Sequence, residues 1–432
     1  MKSGSDRRQY AGLGRRRLLQ QTSALAVGAP LWRGWTGSTW RAVRRAAASA
    51  GTIRYLAAAE DDSVYVQKVI APQFFKETGI TVQVDQVEYN DLYTKEILEF
   101  RNNAYDVYQV DQVWVGAFAK SGYLTRLDGE LAPTTLANFY PNLVKIGNVD
   151  GKQWTVPFSA IPVNYTYRKD LTSPAATWDD ALDIAKRLTH PASGGQPAQW
   201  GFPIRGQAGN PITWTWLPML WSFGGEAFDA KFRPTYNNEA ALESVEFYRK
   251  LYQYSPPGWL SDAQVASYME QGQGVQTTLQ MVFNAPMESP KDAKVADKIG
   301  FAGMPKQVTQ ASILGLWTIG IAATTPNKAN ALKFLEYLSR PDIATQMALA
   351  GVTGAPQPAV YRASGAPSFF PVLSKVLEYV RPPPLIPEAN QWFVITGTAL
   401  QAALSGKQSV KAAMDGAASE VHKMLANSGY YK

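Results

Sequence analysis

The chain has 432 residues, 46% hydrophobic and 18% charged, which is enough to bury two cores of ordinary domain size and too apolar for a disordered chain. Its net charge of +7 sits in the first 50 residues, which hold ten of the 42 Lys/Arg and one of the 35 Asp/Glu; the remaining 32 basic and 34 acidic residues exclude nucleic acid as a partner of the rest. With no cysteine and only His190 and His422, disulfides, thiol catalysis and thiolate or imidazole metal sites drop out, and no cofactor is expected.

Arg15-Arg16-Arg17-Leu18-Leu19-Gln20 leads into an apolar run of small residues from Thr22 to Leu31, and Ala48-Ser49-Ala50 precedes Gly51 as a small-x-small cleavage pattern. Residues 1–50 thus read as an export signal of twin-arginine type, or as a general secretory leader with a long basic segment. The apolar run is too short and interrupted for a membrane span, and no later segment approaches the ~18 apolar residues that a spanning helix needs. An exported protein is expected, in the periplasm or on the outer face of the cytoplasmic membrane.

Thr52–Ala58 reads as a first strand, closed by the acidic turn Glu60-Asp61-Asp62. A helix over Val64–Thr78 stops at Gly79, a strand follows over Ile80–Val87, and a helix over Asp91–Arg101 turns Leu92, Ile97 and Leu98 inward. A strand over Asp106–Val110 and a helix over Val113–Lys120 complete an alternation that argues for a mostly parallel, helix-covered sheet.

Gly151–Leu171 organises the chain. After the Asp150-Gly151 turn, Val163, Tyr165 and Tyr167 alternate with Asn164, Thr166 and Arg168, while Pro157 and Pro162 forbid a helix. A full set of strands and helices lies on either side, so this strand is expected to carry the chain between two lobes, with a cleft for a small ligand between them.

Beyond it, Thr177-Trp178-Asp179-Asp180 caps a helix ending at Leu188, and Pro191–Asn210 is a long loop with a short strand over Phe202–Ile204. Helices are expected over Thr213–Phe223, Asn238–Tyr254, Asn327–Ser339 and Ser409–Leu425, and strand-like runs over Thr278–Phe283, Ile299–Gly303 and Thr318–Ala323.

Several of these stretches, taken in order, carry a family likeness: Asp106-Val-Tyr-Gln-Val-Asp111-Gln-Val-Trp114, Gly122-Tyr-Leu-Thr-Arg-Leu-Asp128, the Gly151–Leu171 run, the Thr-Trp-Asp-Asp helix start, Trp317-Thr-Ile-Gly-Ile and the closing Gly429-Tyr-Tyr. Over residues 52–432 the sequence resembles the family 1 extracellular solute-binding proteins of ATP-driven sugar importers. The resemblance implies an α/β, two-lobed, periplasmic-binding-protein-like fold of type II that closes on a carbohydrate and delivers it to the permease subunits of an importer; a monomer is expected. Lobe one would comprise 51–160 plus 309–358, and lobe two 161–308 plus 359–432. Gly315-Leu316-Trp317 departs from the family's frequent Gly-Gly-Trp and leaves the local backbone path open.

A sugar presents C–H faces, which suit aromatic rings, and a rim of hydroxyls, which suit carboxylates and amides. Covering about 100 Å² between a ring and a sugar face contributes roughly 2.5 kcal/mol at ~25 cal/mol/Å². Trp114 and Trp317 lie just past or at expected strand ends, where α/β folds place ligands. Glu60 and Asp111 end strands and would accept paired hydroxyls, although Glu60 also reads as a solvated turn residue. Tyr89, Arg205, Trp259 and Asn284 complete the candidate set, against the plainer readings of helix cap, surface arginine and packing residues. Trp214, Trp216 and Trp221 crowd into one helix. A secreted hydrolase using Glu60 and Asp111 as acid and nucleophile is the rival reading, and a receptor for a non-sugar solute is the third.

Overall fold

The computed structural model of the protein describes residues 51–195 and 197–431; the expected export signal in 1–50 lies outside the described residues. The strands are β1 (Thr52–Ala58), β2 (Thr81–Val87), β3 (Val107–Asp111), the short β4 (Asn148–Val149) and β5 (Lys152–Gln153), β6 (Thr155–Arg168), β7 (Gln276–Gln280), β8 (Ile299–Ala302), β9 (Ser312–Ile321) and β10 (Val380–Arg381). Eight of them form one sheet in the order β2-β1-β3-β9-β6-β7, with β8 also on β6 and β10 on β9; β4 and β5 pair separately.

β1 runs parallel to β2 and β3, and β9 enters antiparallel beside β3. The 14-residue β6 then changes partners along its length. Thr155–Pro162 lies against β9, whereas Val163–Arg168 lies between β7 and β8. Proline is ordinarily kept out of central strands because it lacks a donor. Here Pro157 stands at a register shift and Pro162 at the change of partners, where the missing N–H costs least.

Helices cover both halves. Tyr55, Phe74, Phe334 and Tyr337 interlock on one side of β1, while Trp216, Tyr236, Tyr248 and Trp392 anchor the bundle of Asn210–Ser222, Glu239–Tyr252, Ala389–Leu404 and Val410–Asn427 beyond β6. A separate core behind the crossing strands joins Tyr140 and Leu143 to Leu314, Leu316 and the helix Phe370–Tyr379. The Thr177 capping box is present, with Asp180 N–H donating to Thr177 Oγ1 (3.0 Å) and Thr177 N–H to Asp180 Oδ2 (2.9 Å).

Four expectations need correction. The first helix begins at Asp61, three residues early, and contains a π turn over Val66–Ile70. Leu98 is exposed and the inner face of Tyr89–Asn102 carries Leu92, Glu96 and Phe100, a phase shift that buries a carboxylate where an aliphatic side chain was expected. Phe202–Ile204 forms no strand; this stretch makes only single bridges, Trp200 to Gly274 and Arg205 to Leu260. β9 starts at Ser312 rather than Thr318, because Leu314 and Leu316 are buried against the rear core as deeply as Trp317 and Ile319 are on the opposite face. Leu316 therefore sits in regular strand opposite Ala160, which settles the backbone path left open by the Gly-Leu-Trp departure.

Candidate functional site

Glu60 follows the last residues of β1, Asp111 is the last residue of β3, and Trp317 stands opposite Asp111 in β9. Three adjacent strands thus deliver two carboxylates and an indole to one end of the sheet. The Trp317 Nε1–H donates to Glu60 Oε2 (2.9 Å). Asp111 accepts from the Tyr89 hydroxyl at Oδ2 (3.0 Å) and from the Val113 N–H at Oδ1 (3.1 Å). The Tyr89 ring stacks on Trp114 (centroids 5.7 Å, 22°) and meets Trp317 edge-on (5.9 Å); Trp114 and Trp317 are themselves 6.2 Å apart and T-shaped. The structure therefore brings Glu60, Tyr89, Asp111, Trp114 and Trp317 into one cluster, with the two carboxylates and Tyr89 half-buried at its surface and the tryptophans beneath.

Burial dominates the electrostatics. It pushes the Asp111 carboxyl up to about 6, against the opposing pull of its Val113 and Tyr89 hydrogen bonds. It also raises Glu60, where the Trp317 donor pulls the other way and the charge of Asp111 adds to the rise. Directly behind lies Asp62, buried, accepting from Ser63 N–H (2.6 Å) and Gln109 Nε2 (3.1 Å), and pushed up to about 8 first by burial and then by Glu60. Burial and the neighbouring Asp111 raise the Tyr89 phenol, so it stays a donor at every physiological pH. At neutral pH the cluster offers an ionised Asp111, a protonated Asp62 and aromatic surface.

The other three candidates lie elsewhere. Arg205 is 1% exposed and its Nη1–H donates to Asp262 (2.9 Å), with Nε and Nη2 unpartnered. Trp259, 37% exposed, stacks on Tyr252 (5.1 Å) above Gly206. Asn284 opens the short helix Asn284–Glu288 and donates to Asn164 Oδ1 (2.9 Å). Asn164 projects from the same face of β6 as Pro162 and Ala160, so Asn284 lies on the side opposite Ile161, Gly315 and Trp317.

Across from the cluster, the helix Asn210–Ser222 brings Trp214 over Gly315; a Cβ there would come within 3.0 Å of the indole Cη2. Gly315 and Trp317 share a face of β9, so Trp214 lies at the edge of the aromatic cluster. Its Nε1–H is buried and without a partner. The sequence signal for this wall was the density of tryptophans in that helix, which does not say which of Trp214, Trp216 and Trp221 turns toward the crossing strands.

Residues 57–345 match the profile of the family described as "Bacterial extracellular solute-binding protein". The chain belongs to that family. This solute-binding protein is 28% identical over 390 residues to a probable amino-acid ABC transporter periplasmic-binding protein of Sinorhizobium fredii, covering 84% of this chain and 87% of that one. It is 26% identical over 361 residues to the mannitol-binding protein of Pseudomonas aeruginosa, covering 76% and 82%. Its structure is similar to that of an ABC transporter solute-binding protein from Agrobacterium radiobacter in complex with ribitol (TM-score 0.73, 25% identity, 86% of this chain and 98% of that chain). The fold is accordingly the two-lobed, type II periplasmic-binding-protein fold, and the solute-binding protein serves an ABC importer outside the cytoplasmic membrane, handing small molecules to its permease. No helix among the described residues is long and apolar enough to cross a membrane.

Proposed function

We propose that this solute-binding protein captures a sugar or sugar alcohol between its lobes and releases it to the importer's permease. Lobe one would be residues 51–160 with 309–358, and lobe two residues 161–308 with 359–432, joined where β6 changes partners. The observation that carries the reading is the cluster of Glu60, Asp111, Tyr89, Trp114 and Trp317, with Trp214 of the helix Asn210–Ser222 over Gly315 at its edge. Carboxylates at strand ends accept pairs of hydroxyls, and the rings cover C–H faces. A mannitol-binding relative and a ribitol-bound structural neighbour support the same solute class. The relative named for amino acids supports a different one. An amino acid's α-carboxylate would have to be held away from Glu60 and Asp111, since the cluster offers it no basic side chain.

Closure follows from ligand contact with both halves at once, since a ligand that touched only one lobe would leave the balance between open and closed forms unchanged. The test is a panel of alditols, aldoses and short oligosaccharides read by tryptophan fluorescence and thermal shift. Ligand at ~100 times its dissociation constant adds about 2.7 kcal/mol of stability. A panel without any spectral or thermal response refutes the carbohydrate reading, and release of reducing sugar by the purified protein favours the hydrolase.

A further inference from the structure

Resting on that reading, we propose that the sugar or polyol carries a protonated amine, seated against Glu60 and Asp111, with its hydroxyl-bearing end toward Trp214. The charge around the cluster is one-sided. Glu60 and Asp111 stand at the ends of β1 and β3 with the protonated Asp62 behind them, and among the described residues no basic side chain forms an ion pair with any of the three. The charges that act on Glu60 are those of Asp111 and Asp61, and the charge that acts on Asp62 is that of Glu60.

A fourth carboxyl beneath the cluster supplies no compensating positive charge. Glu96 is 0% exposed and neither of its oxygens has a partner. It lies seven residues after Tyr89 and three after Tyr93 on the helix Tyr89–Asn102, hence on the face by which both tyrosines pack against Trp114. Burial first, and then the charge of Asp111, raises it well above the ordinary carboxyl range, so it keeps its proton and adds no charge of its own.

The opposite wall asks for something else. Trp214 is 7% exposed, its ring rests on Gly315 two residues from Trp317, and its unpartnered Nε1–H can only donate. A solute hydroxyl can accept from such a donor and an ammonium cannot. A neutral polyol satisfies Trp214 and hydrogen-bonds the carboxylates but leaves their charge uncompensated. An ammonium group supplies three N–H donors and a full positive charge to Glu60 and Asp111 beside the face of Tyr89. An amino sugar or an aminated alditol meets both walls.

Isothermal titration calorimetry of the mature protein at pH 7 compares matched probes: D-sorbitol with 1-amino-1-deoxy-D-sorbitol, D-glucose with D-glucosamine and N-acetyl-D-glucosamine, and putrescine as an amine without hydroxyls. The expected result is an amine preference of about tenfold or more over the matched neutral compound, the ratio worth ~1.4 kcal/mol. Glu60→Gln and, separately, Asp111→Asn should collapse that ratio, and raised salt should shrink it. Neutral probes that bind as tightly as their amines overturn the inference and leave the carbohydrate reading standing. Putrescine binding with no polyol bound overturns the carbohydrate reading and keeps the amine. A ratio that survives both substitutions overturns the assignment to these carboxylates, and silence from every probe overturns both statements.

Discussion

Replacing Asp62 by asparagine probes the electrostatics beneath the site. The Asp62 carboxyl is held at about 8 in the folded protein, against 3.8 ordinarily, first by burial and then by Glu60. At about 1.36 kcal/mol per pH unit, the whole displacement corresponds to a ceiling of about 6 kcal/mol; Glu60 shares the titration, and we assign about half, roughly 3 kcal/mol, to Asp62 itself. A carboxyl raised by folding leaves stability intact below pH 4, where both states hold the proton. Stability then falls as pH rises from about 4 toward 8, because the unfolded chain has already released a proton that the folded one retains. Asparagine removes this loss, keeps an acceptor for the Ser63 N–H and turns an amide toward the Gln109 Nε2 donor, a mismatch that costs about 1 kcal/mol. Asp62→Asn should therefore be less stable than wild type by about 1 kcal/mol at pH 4 and more stable by about 2 kcal/mol at pH 8. At about 2 °C per kcal/mol, thermal melts at the two pH values should cross, with the variant about 2 °C lower at pH 4 and about 4 °C higher at pH 8. An equal offset at both pH values refutes the reasoning, since it means that Asp62 titrates alike in the folded and unfolded chains.

Leu316→Gly, which restores the Gly-Gly-Trp frequent in the family, should cost about 3 kcal/mol in a denaturant melt, because it empties a packed site in the rear core and frees the backbone of a strand. Its ligand affinity should stay within about twofold, as the side chain points away from Trp317. Trp317→Phe keeps an aromatic ring beside Tyr89 and Trp114 but removes the donor to Glu60, so calorimetry should show affinity falling about tenfold, the effect of one charge-assisted hydrogen bond.

Much of lobe one was legible because parallel strands and amphipathic helices announce themselves by period. β1 matches its expected span, and the Thr177 box was visible as a four-residue pattern. The helices Asp262–Glu270, Pro341–Leu349, Phe370–Tyr379 and Ala389–Leu404 were not. The last two are apolar over much of their surface, so no stripe stands out, and prolines around them read as breaks. Glu60, Tyr89 and Asp111 were readable from strand ends, and Trp114 and Trp317 from expected strand ends together with the family resemblance, although Trp317 stands inside β9. Asp62 looked like one more acid in a turn, and Glu96 went unremarked among Leu92, Ile97 and Leu98. Yet Glu96 falls four residues after Leu92 and four before Phe100, and that spacing was the signal that a carboxylate lay on the buried stripe. Asn284 shows what a strand end leaves open: it places a side chain near a rim without saying which face it leaves, and Arg205 sits in a loop that carries no period to read.

In the proposed closure of the two halves, the prolines of β6 would decide where the strand bends. Hydrogen-bond ladders resist bending because each residue has a donor to lose, and Pro162 has none at the place where the strand leaves β9 for β7 and β8. The same ring locks its own φ, so a change of angle there is absorbed by the dihedrals on either side and not by the proline. A joint soft in one torsion and stiff in the next would turn about a single direction, so the proposed clamp would close onto the same alignment each time.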